Sequence, residues 1–202
     1  TIEQALQAEQ ITSVWVSSDS DDILQVSEEY GANIIRRPKE LAKDSSTSES
    51  AWLHAVEYVE SIAKHIDIVV APQCTSPVRE AIDFDNAISK FITNNYDSLF
   101  SATFIPDFNI WAPNSAGEMQ SVNYDFKNRN RRQDKGEQYL ENGSFYIYKP
   151  DVIRQFNNRL GGKIGIHCMD FWKSFQIDEP EDVIFCENLI KAYILNKREL
   201  NL

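Results

Sequence analysis

Thiols and imidazoles are scarce in this sequence. The three cysteines, Cys74, Cys168 and Cys186, are odd in number and fall in no CxxC or other metal-like spacing, so no disulfide framework is expected and the thiols are read as free. The three histidines, His54, His65 and His167, are equally scattered, which leaves a His-based triad or a zinc site without support. Basic residues are also in deficit. Against 31 Asp and Glu stand 20 Lys and Arg, for a formal net charge of −11, whereas a general nucleic-acid or membrane-surface binder needs a basic face. An acidic protein that handles anionic substrates must gather local arginines and lysines, or a metal ion, at its site. No apolar run reaches membrane-spanning length. The amino end, Thr1-Ile2-Glu3-Gln4-Ala5-Leu6, is acidic and amphipathic where a signal peptide is basic and then apolar. A cytoplasmic or other reducing compartment is the expectation.

What is present is the composition of one globular domain over residues 1–202, with 42% hydrophobic and 25% charged residues. The stretch Ile66-Asp67-Ile68-Val69-Val70-Ala71 stops abruptly at Pro72-Gln73-Cys74-Thr75-Ser76-Pro77-Val78-Arg79. It reads as a strand buried on both faces that delivers a polar loop at its carboxyl end, where open α/β sheets bind ligands. Upstream, a helix within 1–10, a strand at 13–17, a helix from Ile23 to Tyr30 closed by Gly31, a strand at 33–37 and a helix through Ala51 to Ile62 alternate. Downstream, a helix from Ala81 to Asn94 precedes the strand Ser98–Phe104. This rhythm predicts a Rossmann-like, three-layer α/β fold with a mostly parallel sheet. It breaks over 106–138, a polar segment rich in Asn and Arg and too long for an ordinary connection, which reads as an inserted arm for function or dimerisation. Glu141-Asn142-Gly143 signals a turn before the strand Ser144–Tyr148. A helix over 151–158, a strand over 163–168 and a last helix begun by Pro180 complete the pattern.

Three groups of residues carry chemistry on two readings each. Asp19-Ser20-Asp21 matches the DxD pattern of glycosyltransferases and is equally a helix cap with acidic residues at the dipole's positive end. Asp178 is a Mg²⁺ ligand candidate at a strand end, while Glu181 and Asp182 more simply decorate a first helical turn. Arg129, Arg131 and Arg132 are either solvated or aimed at phosphate and carboxylate groups.

The loops taken together resemble the CMP-sialic acid synthetase family, the acylneuraminate cytidylyltransferases. The matching segments are Ser17-Ser18-Asp19, Arg37-Pro38-Lys39-Glu40-Leu41-Ala42-Lys43-Asp44-Ser45-Ser46-Thr47-Ser48, Gln73-Cys74-Thr75-Ser76-Pro77-Val78-Arg79, Arg131-Arg132-Gln133 and Glu141-Asn142-Gly143-Ser144-Phe145-Tyr146. They run through nearly the whole chain in the family's order. The resemblance implies transfer of CMP from CTP to a nine-carbon α-keto acid sugar. By it, Arg37, Ser46 and Ser48 hold CTP, and Gln73, Thr75 and Ser76, bordered by Asn142 and Tyr146, hold the sugar. Arg79, Arg132 and Asp178 form the implied catalytic group. Asp178 with Gln176 binds Mg²⁺, and the arm makes a homodimer in which Arg132 enters the neighbour's site.

The chain departs from the family at Cys74, where bacterial forms often have Pro, and at Leu140, where Arg is usual. Gln176 replaces the first Asp of a late D-I-D. The family's glycine and lysine phosphate loop would lie upstream of Thr1, so the sequence as given is expected to be truncated and, alone, inactive. The competing expectations are a glycosyltransferase-like nucleotide-sugar enzyme and a non-catalytic dimer or binding domain.

Overall fold

The computed structural model describes residues 1–62, 65–105, 108–129, 131, 134 and 136–196. Capping chemistry fixes the start of several helices. Helix α1 (Ile2–Gln7) precedes strand β1 (Trp15–Ser18). Ser20 then caps α2 (Asp21–Glu29), its hydroxyl accepting from the Ile23 N–H, with Asp21 and Asp22 in the first turn. Gly31 ends that helix at φ 89°, a conformation in which a Cβ would be strained, and β2 (Asn33–Arg36) follows. The Thr47 hydroxyl accepts from the Ser50 N–H at 3.2 Å to start α3 (Ser48–Ile62), which leads to β3 (Val69–Pro72). Next come α4 (Ala81–Thr93), β4 (Ser98–Phe104), the short β5 (Trp111–Pro113) and β6 (Met119–Ser121), then the long β7 (Tyr139–Tyr148). The chain closes with α5 (Pro150–Phe156), β8 (Ile164–Met169) and α6 (Pro180–Ile190), which runs on as a π-helical turn, Lys191–Leu195.

The four-stranded sheet has the order β3-β7-β4-β8, with β7 antiparallel to both neighbours and β4 parallel to β8. The sheet is therefore mixed, not mostly parallel as the alternation of elements predicts. The reason lies in the insert. Phe104 at the end of β4 pairs with Tyr139 at the start of β7, so the chain leaves and re-enters the sheet at one end and must return antiparallel. Within that excursion β5 and β6 form their own antiparallel hairpin, where the sequence pattern gives no strand. β1 and β2 make a separate parallel pair; among the described residues, neither β1 nor β3 pairs along its second edge. That edge position explains another difference. β3 is shorter than the apolar run, and of its residues only Ala71 is buried.

Alternation along β7 builds the layers. Phe145 and Ile147 join Ala5, Ala8, Phe84, Ala87, Ile88, Phe91, Leu99 and Met169 on the face covered by α1 and α4. Tyr146 and Tyr148 point the other way, into Ala71, Val152 and Ile153, with Trp52 and Leu53 of α3 against them. Each fully buried Phe or Ile of such a core contributes about 1.5–3 kcal/mol. Helices thus cover both faces of the sheet, and the carboxyl end of β3 is left as the place where loops converge.

Candidate functional site

The centre of that convergence is an irregularity in β7. Phe100 pairs with Tyr146 and Ala102 with Glu141, so Asn142, Gly143, Ser144 and Phe145 lie opposite Ser101 alone. Glu141-Asn142-Gly143 is thus a bulge inside a strand instead of a turn before one, and bulges re-aim the side chains they carry. The Ser101 hydroxyl accepts from the Phe145 N–H at 2.9 Å, and Asn142 Oδ1 accepts from the Ser144 N–H at 3.2 Å. Gly143 sits at φ 62°. A Cβ there would lie 2.6 Å from Gln73 Oε1 and 3.3 Å from Gln176 Nε2, so glycine is required both by conformation and by the approach of the two amides.

Three segments meet over this glycine. The Gln73 N–H donates to the Ser144 carbonyl at 3.1 Å, extending β3 along the bulge. Gln176 Nε2 donates to the Asn142 carbonyl at 3.1 Å. The Ile177 N–H donates to the Thr75 carbonyl at 2.7 Å, which brings Asp178 up beside the loop. Half-buried amides of Gln73 and Gln176 with an exposed Thr75 give neutral donors and acceptors suited to hydroxyl and carboxylate groups.

Arg79 supports this loop from below. Its side chain is 0% exposed. Nη1 donates to the Ser144 carbonyl and, at 3.0 Å, to Ser144 Oγ; Nη2 donates to the Gln73 carbonyl at 3.0 Å and to Thr1 Oγ1 at 2.8 Å. The guanidinium carbon stands 5.6 Å from the centre of the Phe84 ring. Burial lowers its pKa to about 10, against the opposing pull of Cys74 and Asp83. From α1, Gln4 Nε2 adds donations to the carbonyls of Pro77 and Arg79 at 3.0 and 2.6 Å. Ser76 and Asn142 are each 1% exposed, and the Ser76 hydroxyl has no partner among the described residues. Of the residues singled out from the sequence here, Gln73 and Thr75 reach the surface, while Ser76, Arg79 and Asn142 lie beneath it.

A second buried cation anchors the same floor. Lys173 Nζ donates to Asp83 Oδ1 and Oδ2 at 2.9 and 2.8 Å and to Glu80 Oε2 at 2.8 Å. Burial works against its charge, but the bonds to Asp83 and Glu80 outweigh that and hold its pKa above the ordinary lysine value. This cluster carries no sequence pattern.

At the start of α6 the two readings of the acidic run separate. Glu179 is the N-cap, and Asp182 Oδ2 accepts from the N–H groups of Glu179 and Asp178 at 2.9 and 3.0 Å, completing a capping box. The Asp178 carboxylate is exposed and unpartnered among the described residues. One free carboxylate beside the Gln176 amide fits a Mg²⁺ ion, which takes one or two protein oxygens and completes its shell with phosphates and water. Among the described residues no group of three or more His, Cys, Asp or Glu side chains is placed to hold a metal alone.

The residues implied for CTP lie apart from this cluster. Arg37, half-buried after β2, donates its N–H to the Ser18 carbonyl at 2.9 Å, and its Nε is buried with no partner among the described residues. Ser46 Oγ donates to the Glu40 carbonyl at 3.3 Å and accepts from the Lys43 N–H at 3.2 Å. Ser48 is exposed at the first residue of α3. Asp21 is ion-paired to Arg36, and Ser20 is the cap, so the DxD segment is used by the helix. Arg131 pairs with Asp134 at 2.8 Å, and Arg132 lies outside the described residues. Tyr146 is on the far face of β7. Its O–H donates to Glu141, and burial first, then that bond, raises its pKa to about 12.

Comparisons with known proteins place the fold and the family. The fold matches a CMP:2-keto-3-deoxy-manno-octonic acid synthetase complexed with CTP, at a TM-score of 0.69 and 15% identity, over 96% of this chain and 86% of that one. An N-acylneuraminate cytidylyltransferase of Oncorhynchus mykiss is 34% identical over 153 residues, 75% of this chain and 34% of the relative. A pseudaminic acid cytidylyltransferase of Campylobacter jejuni is 31% identical over 150 residues, 73% of this chain and 64% of the relative. The chain therefore spans about a third of the length of the trout protein and under two thirds of the Campylobacter one. No helix among the described residues is long and apolar enough to cross a membrane. A sequence model described as Cytidylyltransferase matches residues 1–200, and with motifs, fold and relatives in accord, the chain belongs to the cytidylyltransferase family.

Proposed function

We propose that the full-length protein transfers CMP from CTP to a nine-carbon α-keto acid sugar of the sialic type and releases pyrophosphate. The observation that carries this reading is the meeting of the Gln73 and Gln176 side chains over Gly143, with Gln176 held by the Asn142 carbonyl. It sets neutral hydrogen-bonding amides at the carboxyl end of β3, beside a free carboxylate, in a family whose named relatives act on acylneuraminate and pseudaminic acid.

In the reaction the sugar's anomeric hydroxyl attacks the α-phosphorus of CTP, the bond to the β-phosphate oxygen breaks, and pyrophosphate leaves. No covalent enzyme intermediate is needed, so the protein's work is placement and charge stabilisation. Gln73 and Thr75 hold the sugar, with Ser76, Arg79 and Asn142 fixing the surface they stand on. Arg37, Ser46 and Ser48 hold the nucleotide. Asp178 with Gln176 would hold Mg²⁺, which when bound neutralises phosphate charge. The arm, with Phe108, Trp111 and Phe126 exposed, packs against a second copy and delivers Arg132 to that copy's site. The DxD alternative is not favoured, because Asp21 and Ser20 are occupied at the start of α2.

The test is pyrophosphate release by the full-length protein with CTP, Mg²⁺ and, in turn, sialic, legionaminic, pseudaminic and deaminated acids. Release that depends on one of these acids is expected. Failure with all of them, alongside turnover of a nucleotide sugar, would replace this reading with the glycosyltransferase one.

A further inference from the structure

One guanidinium gathers three side chains from two elements, Glu49 and Trp52 of α3 and Tyr146 of β7. Arg159 lies in the turn after α5, which Asn157 opens in the left-handed region at φ 46°. Its guanidinium carbon is 4.7 Å from the Trp52 ring centroid and 4.6 Å from that of Tyr146. Its Nε donates to Glu49 Oε1 at 2.7 Å across a sequence separation of 110 residues. The two charged side chains are only 21% and 13% exposed. Tyr146 in turn donates its O–H to Glu141.

The chain of contacts has two informative ends. Glu49 is in the first turn of α3, directly after Ser48, and Glu141 directly precedes the bulge residue Asn142. Glu49, Arg159, Tyr146 and Glu141 therefore link the nucleotide-holding block to the sugar-holding bulge. Among the described residues, no hydrogen bond joins Arg37, Ser46 or Ser48 to Gln73, Asn142 or Gln176 directly. Arginine suits the junction because a planar, always-charged group can stack on two rings while its edge bonds a carboxylate. A lysine keeps the charge and loses the plane.

We propose that Arg159 is a positioning residue that clamps the first turn of α3 against Tyr146 and so sets the spacing between the CTP-holding and sugar-holding halves of the site. This rests on the function proposed above. In-line transfer needs the sugar hydroxyl and the α-phosphorus in near-attack placement, and a misplacement of about 1 Å costs on the order of 100-fold in rate. Each half, however, retains its own contacts when the clamp is loosened. The signature is therefore a split: kcat falls while the affinity for either substrate alone holds.

The experiment compares the full-length wild type with Arg159→Lys, Arg159→Gln and Glu49→Gln. It measures steady-state kinetics, calorimetric affinity for CTP and for the acid sugar separately, and the thermal midpoint. Arg159→Lys is expected to lose on the order of 100-fold in kcat with both affinities near wild type, and Glu49→Gln to show a smaller loss of the same kind. Should the Arg159 variants fail to fold, Glu49→Gln carries the test alone. Wild-type kcat in the folded variants would overturn the proposal. So would losses in kcat, both affinities and thermal midpoint that move together, since these mark a scaffold role only. If the wild type neither binds nor consumes CTP, the proposed function fails, and this inference falls with it.

Discussion

Two polar connections in this chain, the loop Gln73–Arg79 and the arm over 108–138, use similar residues to opposite ends. In the loop, Arg79 is fully buried and its guanidinium bonds residues of β7, the loop's own start and the amino-terminal segment. In the arm, the Arg131 side chain is 74% exposed and pairs with Asp134, three residues away. The hydrogen bonds of the arm's described residues run largely within it, some between near neighbours, as in Asn114 to Ala116 and Glu118, and some across its hairpin, as in Asn123 to Phe108, Ile110 and Gln138. Its aromatic side chains pack on one another, Trp111 tilted against Phe126 at 5.4 Å and edge-to-face with Tyr124 at 5.9 Å, yet Trp111 and Phe126 stay exposed. A surface held by long-range bonds to buried groups is a preorganised platform for a ligand. The arm's aromatics, which reach the rest of the chain through Phe108 against Phe171 at 5.8 Å, leave apolar surface open, the kind of surface that suits a partner.

The sharpest way to break this contrast is to remove its two buried cations. Arg79→Ala should cost about 3–5 kcal/mol in denaturant unfolding, because carbonyls of Gln73 and Ser144 lose a buried charged donor. Arg131→Ala should stay within about 0.5 kcal/mol. Lys173→Met should cost a similar 3–5 kcal/mol by leaving Asp83 buried without its cation. For Lys173 the pH dependence has a definite sign. Its folded pKa lies above the unfolded value, so its contribution is complete below the ordinary lysine range, roughly pH 10.4, and is lost as pH rises through the folded value. The wild type should show that alkaline loss of stability, and Lys173→Met should lack it.

A smaller effect is expected at the bulge. Gly143→Ala imposes a left-handed residue, about 1–2 kcal/mol, and drives a methyl group toward Gln73 Oε1. Urea midpoints should report the cost, and sugar affinity should fall with it. The smallest stability change is expected in the arm. Trp111→Ser with Phe126→Ser should leave the monomer's unfolding free energy within about 1 kcal/mol, while sedimentation velocity shows dimer converted to monomer. A protein that is monomeric before the change would remove the dimer proposal.

Local chemistry made most elements legible. Ser20, Gly31, Pro180 and the alternation of Phe145 with Tyr146 each mark a boundary or a face through an interaction within a few residues. The direction of β7 was not legible, because it depends on where the insert re-enters the sheet. Nor was the bulge, since Asn142-Gly143 signals a left-handed position equally well in a hairpin turn. Motif resemblance named Gln73, Asn142 and Gln176, which the fold brings to one glycine. It gave Arg79 as part of the reacting group, where the fold shows a guanidinium spent on backbone carbonyls and hydroxyls. Arg159 and Lys173 had no local signal at all. Their partners lie 110 and 90 residues away, and only tertiary packing pairs them.

The most direct test of the account replaces Gln73, the one long side chain of the loop that stands over Gly143 at the surface of the site. In the full-length protein, Gln73→Ala should fold with wild-type stability and raise KM for the acid sugar at least about tenfold, one hydrogen-bonding group to a charged ligand, with KM for CTP unchanged. Equal shifts in both constants, or wild-type kinetics for both, would contradict the assignment of this loop to the sugar and with it the central claim.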